Sequence, residues 1–139
     1  HDWTKAVKAV LLKNGSEGCG WYFDLRIDAE RLMLRLLEGS VALRSSLGQR
    51  PYGDQGLLIH RSLVEAAGGY NPLPLMEDLD MVQRITAISR MQRIGCAITT
   101  SARRWETRGV LHQAWRNALL RRDWARGEAL DLLVRRYNS

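Results

Sequence analysis

Apolar side chains at Trp3, Ala6, Val7, Val10 and Leu11 recur at the spacing of one helical face. Residues 2–13 therefore predict a helix, with Asp2 as its N-cap. Three glycines in "NGSEGCG" break it. The next run, "WYFDLRI" (21–27), carries aromatics and alternates apolar with polar positions, the pattern of a strand. Asp28 then caps a second predicted helix, in which Leu32, Leu36 and Leu37 share one face. It is expected to reach about residue 46, with Gly39 as a weak point. "GQRPYGDQG" reads as a loop, "LLIH" (57–60) as a short buried strand, and "RSLVEAAGG" as a short helix closed by glycine. Glycine accepts the left-handed backbone common at helix ends.

Beyond this point "YNPLPL" is expected to be extended, because residues before proline avoid the helical region. "MEDLDMVQRITAISRMQ" is the next helix and "IGCAITT" (94–100) the third strand. "VLHQAWRNALLRRDWAR" is a strongly periodic helix and "EALDLLVRRY" a short final one. The order is mixed α/β in a single domain, residues 1–139, with no internal repeat or low-complexity tract. About three strands emerge, fewer than the roughly four to six of a typical sheet.

Charge changes this picture more than the rest of the composition does. The chain carries a formal net charge of +6, and nine arginines fall after residue 100, from Arg103 to Arg136. Such a basic end suits nucleic acid, a phosphorylated substrate or an anionic membrane surface, or is a solvated helix face. The last option fits the way these arginines interleave with Leu111, Trp115, Leu119 and Leu120. No apolar run approaches the roughly 18–20 residues that span a bilayer. The opening "HDWTKAVKAVLLKN" reads as an amphipathic helix without a cleavage site. Cys19 and Cys96 lie far apart in apolar surroundings, which favours two buried, reduced thiols over one disulfide. A cytoplasmic location is the expectation.

Two stretches carry candidate chemistry. In "LPLMEDLDMVQRI" (73–85), Glu77, Asp78 and Asp80 stand behind an apolar, proline-bearing lead-in. Acidic residues suit the first turn of any helix, where unpaired N–H groups and the dipole attract them. The same loop can instead hold one carboxylate at the lip of a pocket, where it takes a proton from an attacking hydroxyl. Residues two apart in a helix point about 200° apart, so Asp78 and Asp80 cannot chelate a metal together. Asp80 and Arg84 are spaced to pair on the helix surface. In "TTSARRWETRG" (99–109), two arginines and a tryptophan follow a strand directly. Arginine binds phosphate oxygens bidentately and tryptophan stacks on sugars or bases, although a core-plugging Trp105 beside solvated arginines also fits.

Taken together, "GDQGLLIHRSLVEAAGGY", "PLMED" and "ARRW" resemble the C-terminal half of family 2 glycosyltransferases. These enzymes have the GT-A fold and move a sugar from a nucleotide-sugar donor to an acceptor. The similarity runs from about residue 2 to residue 122. It implies that Asp78 is the catalytic base with Glu77 as its neighbour. It implies that Arg103, Arg104 and Trp105 lie near the donor diphosphate and the acceptor. By the same resemblance, Asp54 and Gln55 position the acceptor or brace the Asp78 loop, with a polar turn as the alternative. The parent family uses a divalent cation, manganese or magnesium, held mainly by an Asp-x-Asp in a nucleotide-binding half. No counterpart of that half precedes His1, so the isolated chain is expected to be a truncated GT-A-like domain and a poor catalyst. His112 corresponds only loosely to a metal-binding histidine of some GT-A enzymes, and a surface histidine is the preferred reading.

The resemblance also implies that strands 21–27 and 57–60 normally sit against other strands. Exposed strand edges seek partners, so a homo-oligomer formed by edge pairing or helix exchange is expected. The competing reading is a small basic module for nucleic acid or an anionic membrane. Nucleic acid is disfavoured, since no recognised reading motif is present. Peripheral membrane contact through the basic, Trp-bearing C-terminal helices is compatible with either reading.

Overall fold

The computed structural model describes residues 3–13, 15–28, 32–48, 51, 55–101 and 110–138. Its elements are α1 (Trp3–Leu11), a 3₁₀ turn (Ser16–Gly18), β1 (Cys19–Asp28), α2 (Leu32–Gly48), β2 (Leu57–Ile59), α3 (Arg61–Ala66), α4 (Glu77–Ile88), β3 (Arg90–Ser101), α5 (Val110–Ala125) and α6 (Leu130–Asn138). The chain is mixed α/β. Among the described residues three strands form one sheet in the order β2-β1-β3, with β2 antiparallel and β3 parallel to the central β1.

β1 is where sequence pattern and burial agree best. Trp21, Tyr22 and Phe23 are buried in succession, so this half of the strand is covered on both faces. Leu25 and Ile27 then alternate with exposed Arg26 and Asp28. Tyr22 packs with Leu63 of α3, with Met81, Val82 and Ile85 of α4, and with Met91 of β3. On the opposite face Leu25 and Ile27 pack with Leu34 and Val41 of α2. Burying each such side chain contributes about 1.5–3 kcal/mol. At Gly20, where β1 meets β3, an added Cβ would press on the far end of the Met91 side chain, which would have to shift.

The β1–β3 register shifts between Tyr22 and Asp24, and β3 takes the extra length around Gly95, whose φ is +79°. Arg93 clasps Asp24 beside this bulge, through Nε at 2.6 Å and Nη2 at 2.9 Å. The hydrogen bond to Asp24, followed by its charge, raises the Arg93 pKa further above the ordinary arginine value.

Four expectations are corrected. α4 stops at Ile88 and β3 starts at Arg90, several residues before the expected strand. Met91 is drawn into the Tyr22 cluster, Ser89 N–H closes the helix on the Ile85 carbonyl at 2.8 Å, and the Ser89 hydroxyl donates to the Gly18 carbonyl. "YNPLPL" is not a simple extended run: Leu73 N–H donates to the Asn71 carbonyl at 2.8 Å, a γ-turn about Pro72, and a bend follows at residues 74–75. In α2 the helix passes through Gly39 and buries Leu34 and Val41, whereas Leu32 and Leu36 are exposed. Contact with β1 selects the side of Leu34 and Val41, and of the three leucines expected to share a face only Leu37 packs against it. Cys19 and Cys96 are free thiols and half-buried rather than buried. Asp28 is the last residue of β1, and residues 29–31, like Asp2, lie outside the described residues. Among the described residues no helix is long and apolar enough to cross a membrane.

Candidate functional site at the start of helix α4

Among the described residues the backbone before α4 is the least ordinary. Met76 is the N-cap, with φ +66° and ψ +20°, and is the one non-glycine residue at positive φ among those described. A left-handed conformation costs an L-residue about 1–2 kcal/mol. Such strain persists where surrounding contacts over-determine it, and it clusters at functional sites. Here the Met76 carbonyl accepts the Asp80 N–H at 2.9 Å to open the helix, but its side chain cannot cap. The capping falls to Asp78, whose Oδ1 accepts the Leu79 N–H at 2.7 Å.

The three carboxylates have separate surroundings. Asp80 is clamped by Arg84 at 2.7 Å and receives the Asn71 side-chain amide at 2.9 Å. Arg84 also donates to the carbonyls of Ala67 and Gly69, so one guanidinium joins α4 to the turn after α3. That turn is closed as expected by two left-handed glycines, Gly68 and Gly69. Glu77 is exposed and Asp78 half-buried. Leu79 between the acids is buried, which anchors the turn and directs Asp78 and Asp80 to different sides of the helix. Among the described residues no group of three or more His, Cys, Asp or Glu could hold a metal.

α4 ends one residue before β3 begins, and Ile85 and Met91 share a core cluster, so α4 runs back along β3. Arg103, Arg104 and Trp105 follow Ser101 in sequence and lie outside the described residues, as does Asp54.

Gln55 is described, and its place is structural. It is 1% exposed. Its amide nitrogen donates to the Phe23 carbonyl at 3.3 Å and its oxygen accepts the Ser45 hydroxyl at 2.8 Å, which joins α2 to β1. Sequence reading had no signal for this, because a glutamine in a "YGDQG" loop looks solvated. Nor did it anticipate the partnership of Asn71 with Asp80, or the left-handed Met76.

Among the described residues, Arg116, Arg122 and Arg136 are tied into the C-terminal helix pair. Asp123 of α5 is buried between Arg122 and Arg136, each at 2.9 Å, and Arg136 also approaches Glu128 at 3.7 Å. Arg116 donates to the carbonyls of Arg136 and Tyr137, at the C-terminal end of α6. His112 is exposed on α5. No family model, curated protein or solved structure matches the chain.

Proposed function

We propose that this chain is the acceptor-side part of a glycosyltransferase of the GT-A type, related to family 2, with Asp78 as its catalytic base. One observation carries the reading: the strained Met76 corner holds Asp78 at the start of α4 while Arg84 removes Asp80 from contention. An ordinary acidic first turn needs neither feature. The quoted motifs and the mixed α/β sheet are compatible with it, and the unpaired outer edge of β2 among the described residues leaves room for the sheet to continue.

In the proposed reaction Asp78 takes the proton of an acceptor hydroxyl as its oxygen bonds to the anomeric carbon of the donor sugar. The bond from that carbon to the diphosphate oxygen breaks, and the nucleotide diphosphate leaves. Arg103 or Arg104 supplies positive charge to the departing diphosphate and Trp105 packs on the acceptor or sugar. Glu77 is the neighbour of the base. The described carboxylates do not fit the divalent cation of the parent family, so no step here is assigned to it.

The test is nucleotide release from a panel of UDP- and GDP-sugars with manganese. It is run on the chain alone and with the nucleotide-binding half of a family 2 enzyme supplied in trans. Release that falls by about 10²-fold or more in Asp78→Asn, with stability retained, supports the reading. Release indifferent to Asp78, or absent in every combination, counts against it.

A further inference from the structure

A second feature, independent of the enzymatic reading, lies on α2. The face opposite its buried stripe carries Leu32, Leu36, Leu43 and Leu47, which are 74%, 60%, 61% and 79% exposed. At about 100° per residue these four fall within one narrow sector, diametrically across from Leu34 and Val41. A helix apolar on both sides is normally covered on both. The stripe is also symmetric along the chain. Leu36 lies three residues before Gly39 and Leu43 three after Ser40, while Leu32 lies seven before and Leu47 seven after. Gly39 has nothing within 4 Å of where a Cβ would stand, so a second backbone can approach there.

We infer that α2 pairs with the α2 of a second copy of this chain, antiparallel, across a two-fold axis at Gly39 and Ser40. That axis sets Leu36 against Leu43 of the other copy and Leu32 against Leu47, the self-complementarity that an isologous interface requires. The small residues sit where the helices cross most closely. A membrane surface fits less well. Interfacial helices present basic residues beside the apolar stripe, whereas Arg35 of α2 is bonded to Glu38 and the Ile27 carbonyl, and Arg44 reaches inward to Gln55. This surface is separate from the sheet edges.

Sedimentation velocity on the 139-residue chain tests the pairing. The wild type forms a concentration-dependent dimer, and Leu36→Glu with Leu43→Glu weakens it by about tenfold or more with unchanged circular dichroism. Should the charged pair unfold the chain, Leu36→Gln with Leu43→Gln replaces it. Register is read by oxidation in a Cys19→Ser, Cys96→Ser background. Leu32→Cys together with Leu47→Cys cross-links between copies, whereas Leu32→Cys alone does not. A wild type that stays monomeric overturns the inference, as does a dimer indifferent to both α2 pairs, or cross-linking by Leu32→Cys alone. A monomer that binds phosphatidylserine vesicles through the same leucines overturns it in favour of a lipid surface.

Discussion

Arg84 holds Asp80 through Nε at 3.0 Å and Nη2 at 2.7 Å, while its remaining nitrogen reaches back to the turn after α3. The pair is mostly shielded, so its loss is felt more than that of a surface ion pair. Arg84→Met is expected to lower unfolding free energy by about 1–3 kcal/mol, because it leaves a carboxylate and two carbonyls short of a donor. Arg84→Lys does not rescue it, since one ammonium cannot reproduce the planar fork. Urea denaturation measures both, and an Arg84→Met change below about 0.5 kcal/mol would show the clamp to be dispensable.

Met76 gives a test of strain. Met76→Gly relieves the left-handed penalty but adds freedom to the unfolded chain, so stability stays within about 1 kcal/mol of wild type. Met76→Val places a β-branched residue at positive φ and costs about 1–2 kcal/mol or more. Equal stabilities for the two variants, by thermal melting, would remove the argument that this corner is strained.

Gln55→Leu keeps the volume and removes the polar bridge from α2 to β1. The Ser45 hydroxyl and the Phe23 carbonyl lose their partner, at a cost of about 1–3 kcal/mol. Ser45→Ala in the same background then costs little more, because the two act through one hydrogen bond. Additive losses in the double variant would place the effect elsewhere.

Gly56 meets two constraints at once. Its φ is +68°, and a Cβ would stand 2.5 Å from Ile98 Cδ1 and 3.3 Å from Phe23 Cδ2. Its carbonyl accepts the Phe23 N–H at 3.3 Å, so the backbone cannot swing away without breaking that bond. Gly56→Ala is expected to lose about 1–3 kcal/mol. Gly39→Ala, in open space within α2, gains up to about 1 kcal/mol in the monomer from helix propensity. Denaturant midpoints that reverse this order would contradict the packing described here.

Sequence by itself determined the order and type of nearly every element, because helices and strands follow from periodicity and from local breakers such as Gly68 and Gly69. It also determined the Asp80–Arg84 pair, which needs only helical spacing. Tertiary structure decided what local pattern leaves open. It chose which leucines of α2 face β1, since that helix carries two apolar sides and only contact with Leu25 and Ile27 distinguishes them. It ended α4 at Ile88 and placed Met91 in the Tyr22 cluster. It buried Gln55, whose partners lie 10 and 32 residues away along the chain. It also held Met76 in the left-handed region, which costs an L-residue about 1–2 kcal/mol. Propensity and spacing are local quantities, whereas side-chain burial and backbone strain are set by what the rest of the chain brings alongside.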